Sequence, residues 1–66
     1  MPLTEENYEI WYKYFRAALH RISRGWLSQF DKHLEWIKED LIELYLGEDY
    51  ATAARDEFEL QVSYAL

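Results

Sequence analysis

Sixty-six residues, half of them hydrophobic and 18% aromatic, allow one domain (1–66) and no more. With no cysteine, disulfides, thiolate metal sites and iron–sulfur clusters are excluded as staples, so the core must come from three Trp, six Tyr and three Phe or from a second copy of the chain. The net charge of −6 is uneven, with three Glu against four basic residues in 1–30 but ten acids against three bases in 31–66.

Pro2, Leu3 and Thr4 read as a helix entrance. Thr4 is the candidate N-cap, Glu5 and Glu6 place negative charge in the first turn, and Leu3 can staple against Tyr8. The helix is expected to run to about Arg24, with Tyr8, Trp11, Tyr12, Phe15, Leu19 and Ile22 as its inner stripe and Trp26 one turn beyond. Gly25 is the expected stop. Lys13, Arg16, His20 and Arg24 form a basic edge, suited either to pairing with carboxylates of the next helix or to an anionic partner. Ile10, Tyr14 and Ala17 make a second, smaller apolar strip.

Residues 28–47 carry the strongest pattern in the chain. Phe30, Leu34, Ile37, Leu41, Leu44 and Tyr45 fall on one side of a helix and Lys32, Glu35, Glu39 and Glu43 on the other. Ser28 is the candidate cap, with Asp31 reaching back toward it, and Gly47 the left-handed stop. Trp36 borders the acidic face, within reach of Lys32, Glu39, Asp40 and Glu43. After the acidic pair Glu48 and Asp49, with Asp49 as N-cap, a third helix is expected to about Tyr64, lined by Ala51, Ala54, Phe58, Val62 and Ala65. Residues 57–66 also alternate like a strand, but no second strand-like run is there to pair with them. The expected fold is all-α, a hairpin of two long helices with a third packed across it, open to homodimerisation.

Reactive chemistry finds little footing. No hydroxyl, histidine or carboxylate spacing assembles a nucleophile with its base, so the chain reads as no enzyme, with no cofactor and no metal, and both His20 and His33 as surface residues. Direct binding to nucleic acid is disfavoured because Glu35, Glu39 and Glu43 would meet the phosphates. No apolar run approaches the roughly 20 residues of a bilayer span and no charged leader follows Met1, so no membrane is expected and the location is read as cytoplasmic.

The inverse arrangement is the more productive one. Glu35, Glu39, Glu43, Asp40, Glu48, Asp49, Asp56, Glu57 and Glu59 can make a dense anionic surface that occupies the basic nucleic-acid channel of a protein partner. Glu35, Trp36, Glu39, Asp40, Glu43, Glu48 and Asp49 are its candidate partner-binding residues, with Trp36 or a tyrosine as the desolvated anchor. In size, acidity, aromatic richness and lack of cysteine the chain is similar to small phage-encoded inhibitors of bacterial defence, including anti-CRISPR proteins. That compositional likeness implies an inhibitor acting as a DNA mimic. The alternative is a structural or regulatory subunit that dimerises through Ile10, Tyr14, Leu60 and Tyr64.

Overall fold

The computed structural model describes residues 1–24 and 27–65, with the backbone alone for 27–29 and 65. The expected cap at Ser28, the conformation of Gly25 and the contacts of Trp26, Ala65 and Leu66 therefore lie outside the described residues. Among the described residues four α-helices follow in order: α1 (Tyr8–Ser23), α2 (Leu27–Ile37), α3 (Leu41–Tyr45) and α4 (Tyr50–Ala65), with a 3-10 turn at Lys38–Asp40 joining α2 to α3. No strand occurs among the described residues, and the alternating tail is helical as far as Ala65. Among the same residues no helix is long and apolar enough to cross a membrane.

The chain enters α1 later than its sequence suggests. Thr4 N–H donates to Asn7 Oδ1 at 2.8 Å and Asn7 N–H donates to Thr4 Oγ1 at 3.1 Å, so the two close a reciprocal turn of their own before the helix starts at Tyr8. Glu5 and Glu6 consequently lie outside the first helical turn, where Glu9 stands instead. Leu3 does more than staple. Its N–H donates to the Glu48 carbonyl and its own carbonyl accepts from Gly47 N–H, both at 2.9 Å, while its side chain is fully buried. The amino-terminal residues thus clasp the turn between α3 and α4. Gly47 makes that turn possible with φ +86, the left-handed conformation expected of it.

At the other end of α1, Arg24 carries a positive φ, +54, and its N–H closes on the His20 carbonyl. The inner face of α1 is Trp11, Phe15, Ala18, Leu19 and Ser23. Ile22, expected inside, is 36% exposed, because Ser23 turns inward and donates Oγ–H to the His20 carbonyl at 3.3 Å.

The helix expected from 28 to 47 is interrupted. Tyr8 O–H donates to the Lys38 carbonyl, and Lys38 Nζ sits 4.9 Å from the centre of the Tyr12 ring. A side chain that takes a carbonyl from the helical ladder is a recognised cause of such a break, and here it coincides with the 3-10 turn. Phe30, Leu34, Ile37, Leu41 and Tyr45 are buried as expected. Beyond the break the segment is re-aimed: Ile42 is half-buried and Leu44, expected in the core, is 56% exposed.

The third helix does not cross the hairpin. Tyr14 meets Tyr50 near the start of α4 and Phe30 meets Phe58 further along, so α4 runs in the direction of α1 and opposite to α2. Among the described residues α1 packs more extensively on α4 than on α2. Small residues explain the closeness. Ala53 and Ala54 are fully buried and Ala18 nearly so, which lets the two backbones approach. The inner face of α4 is therefore Ala53, Ala54 and Glu57, with Phe58, Gln61 and Val62 half-buried, and Ala51 of the expected stripe is exposed. Trp11 stacks on Phe15 with centroids 4.9 Å apart, and Tyr45 lies 6.3 and 5.9 Å from the two rings, forming the aromatic centre of the core.

Candidate functional site

Glu35 and Trp36 lie near the end of α2, Glu39 and Asp40 in the 3-10 turn, and Glu43 and Leu44 in α3. All are exposed, and Trp36 is 80% exposed. Among the described residues no ion pair engages Glu35, Glu39, Asp40 or Glu43. These exposed side chains, the acidic edge of α2 and α3, include most of the residues expected to bind a partner.

The remaining two serve the fold. Asp49 Oδ1 accepts from the Met1 ammonium at 2.5 Å and Oδ2 accepts from Ala51 N–H at 3.0 Å, which caps α4 as expected. The ammonium, followed by the Ala51 amide, holds the Asp49 carboxyl below its ordinary value. Glu48 is half-buried, and its carbonyl accepts from both Leu3 N–H and Trp11 Nε1–H, the latter at 3.0 Å.

Two further acids are engaged within the fold. Asp31 accepts from His20 Nε2 at 2.5 Å and lies 3.4 Å from Arg16. The His20 hydrogen bond is the main reason its carboxyl is held below the ordinary range. Part of the basic edge of α1 is thereby paired with α2. Tyr12, Arg16, Asp31, Lys32 and Glu35 line a groove of about 400 Å³ between the helices, and its two bases and two acids leave it without a charge preference.

Glu57 departs furthest from expectation. Expected in the anionic surface, it is 2% exposed, with Tyr45 O–H donating to Oε1 and Gln61 Nε2–H donating to Oε2 at 3.1 Å. His33 Nε2 lies 2.6 Å from Oε2. Burial, then the Glu57 hydrogen bond and charge, push the Tyr45 hydroxyl pKa well above its ordinary value. Neither histidine is therefore a plain surface residue, since each holds a carboxylate across a helix interface. The sequence offered a faint signal for Glu57. It lies three and four residues from the buried Ala54 and Ala53, on the stripe that helical spacing points inward.

The four residues expected at a dimer interface are exposed but divided. Tyr14, one turn beyond Ile10 on α1, meets Tyr50 at the start of α4 with centroids 5.3 Å apart. Leu60 and Tyr64 follow Tyr50 by ten and fourteen positions, roughly 15 and 21 Å along the helix axis. No cluster of three or more His, Asp or Glu side chains suited to a metal occurs among the described residues. No family model, curated protein or solved structure matches the chain.

Proposed function

We propose that the protein works by binding a protein partner with a basic surface, using the acidic edge of α2 and α3 for attraction and Trp36 for anchorage. The observation that carries the proposal is an indole 80% exposed among carboxylates that have no ion-pair partner among the described residues. A Trp in that position is unfavourable in water and becomes favourable once a partner covers it, while unpaired carboxylates steer a cationic surface toward it. A partner that handles nucleic acid carries such a surface, and occupying it makes this protein an inhibitor. The compositional likeness to phage-encoded inhibitors of bacterial defence points the same way.

Capture of partners from a bacterial lysate at low and high salt tests the proposal. A partner should be retained at low ionic strength and lost at high, and Glu39→Lys with Glu43→Lys should abolish its capture while leaving the helical spectrum unchanged. Retention that ignores both salt and the charge reversals would rule the proposal out.

A second reading, homodimerisation, draws on the exposure of Ile10, Tyr14, Leu60 and Tyr64. Sedimentation equilibrium separates the two, since a dimer would dissociate on Tyr14→Asp or Leu60→Asp and ignore the glutamate reversals.

A further inference from the structure

We infer that the groove between α1 and α2 is a binding site for a short peptide with free termini, its carboxylate held by Arg16 and Lys32 and its ammonium by Glu35. The site lies beyond the partner surface proposed above and shares only Glu35 with it. Tyr12, Arg16, Asp31, Lys32 and Glu35 line the groove of about 400 Å³. Asp31 is already engaged, by His20 at 2.5 Å and by one guanidinium nitrogen of Arg16 at 3.4 Å. The rest of the exposed guanidinium has no partner among the described residues. Lys32 and Glu35 stand three positions apart on α2, a spacing at which opposite charges ordinarily meet, yet neither engages an ion pair among the described residues. Nor does the hydroxyl of the half-buried Tyr12 make a hydrogen bond among them. Two opposite charges and a hydroxyl thus line one groove with no partner in the described chain.

The charges are also sorted along the groove. Arg16 meets Asp31 and, two turns earlier on α1, Tyr8 meets Lys38, so the two segments run in opposite directions. Tyr12, one turn back from Arg16, therefore shares a level with Glu35, one turn on from Asp31, and the two levels are roughly 6 Å apart along the axes. Burial, opposed by Arg16 and reinforced by Glu35, raises the Tyr12 hydroxyl pKa, so both charges are felt at that oxygen. Lys38, which could neutralise Glu35, is occupied instead on the Tyr12 ring, with Nζ 4.9 Å from its centre. A ligand that satisfies the groove carries one anion and one cation about a helical turn apart. An extended peptide of two residues spans roughly 7 Å and has its ammonium and carboxylate at its ends, with an amide between them to meet the Tyr12 hydroxyl. A free α-amino acid holds both charges on one carbon and reaches one level only. A ligand of single sign leaves either Lys32 or Glu35 facing a like charge.

The test uses the full chain with alanylalanine, its N-acetyl form, its carboxamide and free alanine, each titrated to about 50 mM at one low ionic strength and followed by amide chemical shifts. Alanylalanine should shift the amides of α1 and α2 that flank the groove, with a dissociation constant in the millimolar range. Each blocked form and free alanine should bind at least about fivefold more weakly, the loss expected of one exposed charge pair. Two variants assign the ends. Lys32→Gln should shrink the preference for a free carboxylate and keep that for a free ammonium, and Glu35→Gln should do the reverse. Both change exposed side chains that engage no ion pair among the described residues, so the remainder of the spectrum should stay as it is. Equal binding of all four ligands, or no shift from any, overturns the site. Alanine binding as tightly as alanylalanine overturns its assignment to a peptide, and preferences that ignore both variants overturn the roles of Lys32 and Glu35.

Discussion

The carboxylates of the α2–α3 edge and the carboxylate of Glu57 are the same chemical group in opposite circumstances. At the edge, Glu35, Glu39, Asp40 and Glu43 are solvated and engage no ion pair among the described residues. Glu57 is 2% exposed and is held from three elements, by Tyr45 of α3, His33 of α2 and Gln61 of α4. A carboxylate taken out of water is stable only with donors waiting for it, so Glu57 cannot be removed without stranding them. One in water needs no internal donor and stays available to a partner. Net charge counts both alike; their surroundings commit one to holding the fold and leave the others free for the partner proposed above.

The contrast is broken most severely at Glu57. Glu57→Ala leaves the Tyr45 hydroxyl and the His33 imidazole without their acceptor and opens a void between three segments, at a cost of about 3 kcal/mol. Chemical denaturation followed by circular dichroism should show it, with a lower midpoint and little change of slope. Glu57→Gln, which keeps the volume and one carbonyl acceptor, should cost less. If the alanine variant is as stable as the parent, the buried network contributes nothing.

Tyr45→Phe comes next, at about 1.5 kcal/mol for one donor lost to a buried carboxylate. It also has a signature in pH. The folded Tyr45 pKa is raised above the ordinary 10.0, so its contribution is complete below pH 10 and is lost as pH rises through the raised value. The parent should therefore lose stability in alkali, and Tyr45→Phe should flatten that limb. Some slope should persist, because burial also raises the hydroxyl pKa values of Tyr8 and Tyr12. An unchanged limb would mean that Tyr45 is not the group being titrated.

How far the molecule can be read from its sequence follows the same division. Periodicity places Trp11, Phe15, Leu19, Phe30, Leu34 and Leu41 inside correctly, and it puts the acidic row of α2 and α3 outside, because both depend only on the angle between residues of one helix. It misplaces Leu44, since the 3-10 turn at Lys38–Asp40, where the Tyr8 hydroxyl thirty positions away meets the Lys38 carbonyl, shifts the register beyond it. It misplaces Glu57 because a carboxylate's preference for water is overridden only by Tyr45 and His33, which tertiary packing brings to it. The direction of α4 was equally hidden. Alanine reads as helix propensity in a sequence, but Ala53 and Ala54 act here as close-contact surface against α1.

Asp49 sits between the two extremes, since it is accessible yet fully occupied. Its folded carboxyl pKa lies below the ordinary 3.8, so its contribution is present above that value and is lost as pH falls through the depressed one. Asp31, held down chiefly by His20, behaves in the same sense. Asp49→Ala should lower the thermal midpoint at neutral pH by a few degrees at most, and the deficit should disappear as the acid limb is descended. A deficit that persists at pH 2 would place the effect in packing rather than in the cap.

The smallest expected effect is at the edge itself, and it decides whether the comparison holds. Glu39→Lys together with Glu43→Lys changes two exposed groups that engage no ion pair among the described residues. Stability should move by less than about 0.5 kcal/mol. It should move, if at all, upward, because the reversals bring the net charge of −6 closer to zero. If the double reversal instead destabilises the protein as Glu57→Ala does, the edge supports the fold, and the division between the two kinds of carboxylate disappears.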